Sequence, residues 1–205
     1  MVAIYILVAL VAYLIGSISF SVIFTKKLAG FDVREKGSKN AGSTNVLRTA
    51  GKKVAILTLI CDILKGLVAV GFAKIIGEID HFDHIEYLIQ VAGIAVVLGH
   101  TFPIFFGFKG GKGVATSLGL ILLVNWQIGL ICLVFALILI ISTRMVSLGS
   151  VSAAVLFPVL TMFITENYIV PGDYRIFGIL LGAFVCFNHR ANIKRLLTGQ
   201  ESKIF

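Results

Sequence analysis

The sequence predicts an all-α integral membrane protein: seven transmembrane helices, the N-terminus outside and the C-terminus in the cytoplasm. Three observations carry this. Hydrophobic residues make up 58% of the 205-residue chain and charged residues only 14%, against roughly 45–50% and about 25% in a soluble domain. The apolar residues gather into stretches near the roughly 20 residues that cross a bilayer. The basic residues gather in every second polar segment between those stretches, and the acids gather on the opposite side.

The spans follow in order. The first covers residues 2–24, and a polar segment runs over 25–53. The second covers 54–76 and is followed by an acidic loop with Glu78, Asp80, Asp83 and Glu86. The third, 87–106, leads into a Gly/Lys loop at 107–113. The fourth, 114–124, is short, and Asn125, Trp126 and Gln127 read as an interfacial turn. The fifth is 128–141, residues 142–149 form a link, and the sixth is 150–164. A polar loop at 166–173 precedes the seventh span, 174–187, and the tail from Asn188 is basic. At about 1.5 Å per residue, spans four and seven fall short of roughly 30 Å of hydrocarbon. Their ends must be buried by neighbouring helices, or the adjoining loops must dip into the membrane where protein or a wet cavity shelters them. The chain is read as one polytopic membrane domain over residues 1–205.

Charge sets the orientation. Loops one, three and five and the tail hold 15 of the 18 basic residues, and the opposite loops hold six of the 10 acids, Glu166 and Asp173 among them. The positive-inside rule places the basic side in the cytoplasm. The net charge of +8 is therefore distributed over short loops, which disfavours a nucleic-acid binder. Cys61, Cys132 and Cys186 sit in apolar stretches without metal or redox spacing and read as small buried hydrophobes. The N-terminus lacks a basic region and an A-x-A-like site, so the first span is expected to remain as an anchor.

Three basic-side segments carry chemistry. The first is Gly37-Ser38-Lys39-Asn40-Ala41-Gly42-Ser43-Thr44-Asn45-Val46-Leu47-Arg48. Its small residues let the backbone approach an anion, Ser38, Asn40, Thr44 and Asn45 add hydrogen bonds, and Arg48 can grip phosphate. A turn-rich flexible loop would use several of the same residue types. The second runs from Gly99 and His100 through Lys109-Gly110-Gly111-Lys112-Gly113 to Thr116. A glycine turn entering a helix presents N–H groups and a positive dipole end; alternatively the glycines only permit a tight interhelical turn. It is not a P-loop, because G-x-x-x-x-G-K-[ST] is absent. His100 reads equally as a structural or a catalytic residue. The third runs from Asn188-His189-Arg190-Ala191-Asn192 to Glu201. His189 and Asn192 share a helix face, whereas Arg190 and Lys194 suit anionic headgroups. Apart from these, Asp62 and Lys65 lie three residues apart near the middle of span two and read first as a structural ion pair facing the bundle interior.

Together these segments closely resemble the bacterial acyl-phosphate:glycerol-3-phosphate acyltransferases, small polytopic enzymes of phospholipid synthesis. The resemblance covers almost the whole chain. It departs from the family where Ser43 precedes Thr44-Asn45, a position usually held by Ala, and where Ser19 replaces a frequent Pro. The resemblance implies a seven-helix fold in the bacterial cytoplasmic (inner) membrane with the active site on the cytoplasmic face. It implies transfer of a fatty acyl group from acyl phosphate to the 1-hydroxyl of sn-glycerol 3-phosphate, giving lysophosphatidic acid and phosphate, with no metal and no cofactor. The expected catalytic residues are His189, Asn192 and Ser38. The expected phosphate-binding residues are Gly37, Asn40, Thr44, Asn45, Arg48, Lys109, Gly110, Gly111, Lys112, Gly113 and Thr116. Either His189 or the donor phosphate takes the proton. The expected partners are the two substrates and the lipid bilayer, with no nucleic acid and no obligate protein partner. A phosphate transporter would show repeated halves, which this sequence lacks. A CDP-alcohol phosphotransferase would need a carboxylate cluster, for which the basic side offers only Asp32, Glu35 and Glu201. A non-catalytic scaffold would have no need of His189 or the glycine loop.

Overall fold

The computed structural model describes residues 1–164, 168 and 172–204; Glu166 of the expected polar loop at 166–173 lies outside them. The described residues form α-helices and two one-turn 3-10 helices, with no strand among them. Two compact units divide the chain, Met1–Leu120 and Ile121–Phe205.

The first unit opens with α1 (Val2–Gly16) and α2 (Phe20–Ala29). The sequence reads residues 2–24 as one span followed by a polar loop. Instead the helix breaks at residues 17–19 and then continues through residues 25–29. The last turn of α1 tightens, with Ser17 N donating to Tyr13 O at 2.8 Å and Ile18 N to Ile15 O at 3.2 Å. The carbonyls of Gly16 and Ile18 then accept from the Lys65 ammonium at 3.0 Å each. A break at this depth is tolerable because protein re-satisfies the backbone.

A short α3 (Ser43–Ala50) leads into α4 (Lys52–Ile79), whose 28 residues give about 42 Å of helix, enough to cross the bilayer with tilt. It carries Asp62 and Lys65. Next come α5 (Ile85–Thr101), a one-turn 3-10 helix at Ile104–Phe106, and α6 (Val114–Val124). Within the unit α1 lies along α5, and α4 packs on α1, α2, α3 and α5. Small residues set these approaches. A Cβ on Gly99 would lie 2.2 Å from Tyr13 O, and one on Gly16 would lie 2.1 Å from Val96 O, so α1 and α5 meet backbone to backbone. α4 and α6 do the same, with a Gly66 Cβ 2.2 Å from Thr116 O and a Gly119 Cβ 1.9 Å from Ile63 O. Between apolar helices in apolar lipid, such close van der Waals packing replaces the hydrophobic driving force. The other side of α4 exposes Ile56, Leu59, Ile60, Leu64 and Val68, as a lipid-facing surface would.

The second unit contains α7 (Trp126–Thr143), α8 (Val146–Phe163), α9 (Arg175–Asn188) and α10 (Arg190–Leu197). Asn125 is the N-cap of α7, its Oδ1 accepting from Gln127 N and Ile128 N at 3.1 Å. The expected turn at 125–127 is thus a single capping residue, and Trp126 is already helical. The expected link at 142–149 shrinks to Arg144 and Met145, with Arg144 in a left-handed conformation (φ 64). α8 packs on α7, α9 and α10, and α9 and α10 meet at a 68° bend centred on His189.

Among the described residues five helical segments are long and apolar enough to cross a membrane: Val2–Ala29, Lys52–Ile79, Ile85–Phe106, Trp126–Thr143 and Val146–Phe163. The bent α9–α10 pair makes six if counted as one span, and α6 remains a shorter apolar helix.

An ion pair outside the spans clamps the segment after α2. Arg34 Nε and Nη2 donate to the two Asp32 carboxylate oxygens at 3.0 and 2.8 Å, and Arg34 Nη1 donates to Phe106 O at 2.6 Å. Lys26 Nζ lies 3.3 Å from Asp32 Oδ2. Hydrogen bonds from Arg34 hold the Asp32 carboxyl well below the usual carboxylate range, although burial pushes the other way.

Two stability predictions arise here. Gly119→Ala is expected to lower the melting temperature in detergent through an overpacking cost of about 1–3 kcal/mol. Gly71→Ala, whose Cβ meets nothing within 4 Å, is the control and should melt like the parent; equal melting of the two variants would refute the α4–α6 contact. Asp32→Asn is expected to cost on the order of 1–3 kcal/mol at pH 7. A depressed carboxylate contributes stability above its unfolded pKa of about 3.9 and loses it as pH falls through the folded value. The difference between parent and variant should therefore narrow in acid. A gap unchanged between pH 7 and pH 3 would mean that the charge is not its source.

Candidate active site

The 37–48 segment is shaped by Asn45. Its Oδ1 accepts from Ser38 N, and its Nδ2 lies 3.0 Å from each of the carbonyls of Val33, Lys36 and Asn40. The side chain is 2% exposed. The sequence marks Asn45 as a phosphate ligand, but its amide is engaged in folding the loop around itself. Gly37 (φ 57) has no room for a Cβ, which would lie 2.3 Å from Asn45 Oδ1. Beneath the loop Val33, Ala41 and Val46 are buried together with Val22 and Val54. This holds Ser38, Lys39 and Arg48 at the surface, with Asn40 and Thr44 half-buried. Thr44 sits in the first turn of α3, which Gly42 opens by accepting from Asn45 N and Val46 N at 3.0 and 3.1 Å.

The glycine loop closes on His100. Gly111 N donates to His100 O and Gly110 N to Thr101 O, both at 3.1 Å. A Cβ on Gly111 would lie 2.1 Å from His100 Nε2, and one on Gly110 would lie 2.0 Å from His100 O. These two N–H groups were expected to face an anion; they hold the loop to the end of α5 instead. Gly113 adopts φ 90, a left-handed conformation suited to glycine. Lys109 is exposed and Lys112 half-buried. Thr116 is fully buried on α6, so the structure places it behind the loop. The hydroxyls of Thr101, Thr116 and Ser117 are buried without a hydrogen-bond partner among the described residues.

The two segments touch. Ala41 N donates to Gly110 O at 3.3 Å, and Arg34 reaches Phe106 O, so the first two sequence-predicted segments form one surface. His100 Nδ1 lies 3.5 Å from Asp62 Oδ1, and Lys65 Nζ lies 3.0 Å from the same oxygen. His100 is thus buried beside the Asp62–Lys65 pair.

In the second unit His189 sits at the α9–α10 bend, 4% exposed. Its Nδ1 is 2.8 Å from Val185 O. A carbonyl only accepts, so this hydrogen bond calls for the proton on Nδ1. Asn192 Nδ2 donates to Glu201 Oε1 at 2.9 Å and Arg195 Nε to Glu201 Oε2 at 2.8 Å. Burial pushes the Glu201 carboxyl up, but hydrogen bonds from Asn192 and Arg195 help bring it net below its ordinary value. Glu201 therefore orients Asn192, a role that its place in a polar tail does not signal.

With this geometry in view, the comparisons with known proteins converge. The family profile described as Glycerol-3-phosphate acyltransferase matches residues 6–199. The glycerol-3-phosphate acyltransferase of Clostridioides difficile (strain 630) is 46% identical over 202 residues, covering 98% of this chain and 95% of that one. That of Syntrophomonas wolfei is 43% identical, covering 94% and 93%. The crystal structure of PlsY (YgiH), an integral membrane glycerol 3-phosphate acyltransferase, in its glycerol 3-phosphate form superposes with a TM-score of 0.84 at 39% identity, covering 97% of this chain and 94% of that one. Its lysophosphatidic acid form gives 0.82 at 38% identity. This chain belongs to the glycerol-3-phosphate acyltransferase family and is an integral membrane acyltransferase of phospholipid synthesis.

Proposed function

We propose that this chain moves a fatty acyl group from acyl phosphate to the 1-hydroxyl of sn-glycerol 3-phosphate. The acceptor oxygen attacks the acyl carbonyl carbon and a new C–O ester bond forms. The bond between that carbon and the phosphate oxygen breaks, and phosphate leaves with the electron pair. The products are lysophosphatidic acid and inorganic phosphate. The observation that carries this reading is the joining of two basic, glycine-containing segments into one surface through Ala41 N and Gly110 O. Both proposed substrates bear phosphate, and Arg48, Lys109 and Lys112 supply positive charge for them. Gly37, Asn40, Thr44, Gly110, Gly111 and Gly113 shape the surface, and Ser38 is exposed on it to orient substrate.

His189 takes the hydroxyl proton at Nε2, supported by the Nδ1–H bond to Val185 O and by Asn192 beside it on α10. The rival acceptor is the donor phosphate itself.

The proposed topology is one polytopic domain of seven spans: the five long segments, the short α6, and the α9–α10 pair. The gathering of basic residues in every second loop supports an N-terminus outside and a site on the cytoplasmic face of a bacterial inner membrane.

Purified protein should turn over acyl phosphate and glycerol 3-phosphate. Turnover with acyl-CoA and none with acyl phosphate would refute the donor. His189→Ala is expected to lower kcat roughly 10²–10⁴-fold and to remove the acidic limb of the kcat–pH profile, because a base must be neutral to act. A near-normal kcat with an unchanged profile would assign the proton to the donor phosphate.

A further inference from the structure

Resting on the acyl transfer proposed above, the role of the charged group inside the first unit can be taken further. Asp62 and Lys65 are buried on α4 at 2% and 4% exposure, and His100 on α5 at 6%. A plain structural ion pair would need only Asp62 and Lys65. Here a closed circuit of contacts runs through them to both anion-binding segments.

From Lys65 Nζ the circuit passes at 3.0 Å to the carbonyls of Gly16 and Ile18, which fixes the break between α1 and α2. Just beyond the break Ser19 Oγ and Ser21 Oγ are 3.2 Å apart, and Ser21 Oγ donates to Ala41 O at 2.8 Å. Ala41 N then donates to Gly110 O at 3.3 Å, which crosses from the 37–48 segment to the glycine loop. The glycine loop is wrapped on His100, whose Nδ1 lies 3.5 Å from Asp62 Oδ1. The same oxygen lies 3.0 Å from Lys65 Nζ, and since neither approach has hydrogen-bond geometry this side of the circuit is closed by proximity of charge. The position of the break places Ser21 under Ala41. The position of the His100 ring sets where the glycine loop can close. One buried cation and its carboxylate thus control both ends of the surface.

We infer that Lys65, Asp62, His100 and Ser21 are positioning residues that hold the 37–48 segment and the glycine loop in register for acyl transfer. They act through main-chain carbonyls and the two loops. Loss of that register leaves phosphate binding largely intact and misaligns the acceptor hydroxyl with the acyl carbon. A displacement of about 1 Å costs up to about 10²-fold in rate.

The test uses the full chain purified in detergent and two variants. Asp62→Asn/Lys65→Met removes both charges together, which avoids leaving one buried charge unpaired. Ser21→Ala removes a single hydroxyl at the far side of the circuit. Melting temperature, the rise in melting temperature on adding glycerol 3-phosphate, KM for glycerol 3-phosphate and kcat are measured on each. Both variants are expected to keep the parent's glycerol 3-phosphate-induced rise and a KM within about threefold, while kcat falls about 10- to 100-fold in the double variant and about fivefold in Ser21→Ala. A native kcat in either folded variant overturns the inference, as does a kcat that falls only in proportion to the folded fraction. Should the double variant fail to insert, Ser21→Ala decides by the same criteria. Parent protein that turns over acyl phosphate isolates a failure of this inference from a failure of the proposed reaction; parent protein that does not turn it over overturns both.

Discussion

Backbone carbonyls inside a membrane must find donors within the protein, and the break after Gly16 exposes two that do so through one lysine. Lys65 meets Gly16 O and Ile18 O at 3.0 Å each. A cation at that depth is itself costly and needs a carboxylate, which Asp62 supplies one turn earlier on α4. The requirement then spreads. Lys65 can reach the break only if α4 lies close to α1, and Asp62 can share its oxygen with His100 only if α5 lies on the other flank. The backbone contacts at Gly16, Gly66, Gly99 and Gly119 bring α1, α4, α5 and α6 together. Charge and small residues are therefore two halves of one constraint: glycine lets the helices approach, and the approach lets the polar atoms pair.

The loops inherit their shape from this interior. Gly110 and Gly111 are glycine because the His100 ring and carbonyl leave no volume for a side chain. Their N–H groups close the loop on α5, and so the proposed anion binding by this segment would rest on what the closed loop presents, above all Lys109 and Lys112. Asn45 does the same service in the other segment, folding residues 33–40 around its amide. In both, donors that sequence pattern assigns to the ligand are bonded to the protein's own backbone and shape the proposed binding surface. Groups fixed in advance need not reorganise when charge develops, which is where electrostatic stabilisation gains most of its strength.

Membrane class, the position of the chemical segments and the Asp62–Lys65 pair are legible in the sequence because they depend on composition or on local helical spacing. The acceptors of Lys65 are not, since Gly16 and Ile18 lie 49 and 47 residues away. The break itself is masked by Ser17-Ile18-Ser19, residues that a continuous apolar helix also tolerates. The burial of Asn45 is hidden because a buried amide and a ligand-binding amide have the same composition and differ only in what surrounds them. Glu201 is hidden for the opposite reason: it looks like a solvated tail charge until the turn at Gly199 (φ 68) brings it to Asn192 and Arg195. The link between α7 and α8 is overestimated because Ser142 and Thr143 look like loop residues. Inside the helix their hydroxyls bond back to the carbonyls of Ile138 and Leu139, which satisfies them without leaving α7.

An activated donor changes what the protein must supply. In the proposed reaction acyl phosphate brings its own leaving group, so the demands that remain are to hold two like-charged substrates near each other and to aim one hydroxyl. Two phosphates a few ångströms apart repel, and each needs fixed cations whose positions do not relax as the charge moves. Flexible lysines and arginines on mobile loops would meet the charge requirement and fail the geometric one. Here the cationic side chains stand on segments whose backbones are tied to each other at Ala41 and Gly110 and, through His100 and Ser21, to the buried interior. The ion pair in the middle of α4 is buried beside His100 and the break between α1 and α2, and in the inferred role it is the point from which both segments take their position. With an activated donor of the proposed kind, a membrane enzyme of this size would be free to devote its costliest buried residues to alignment.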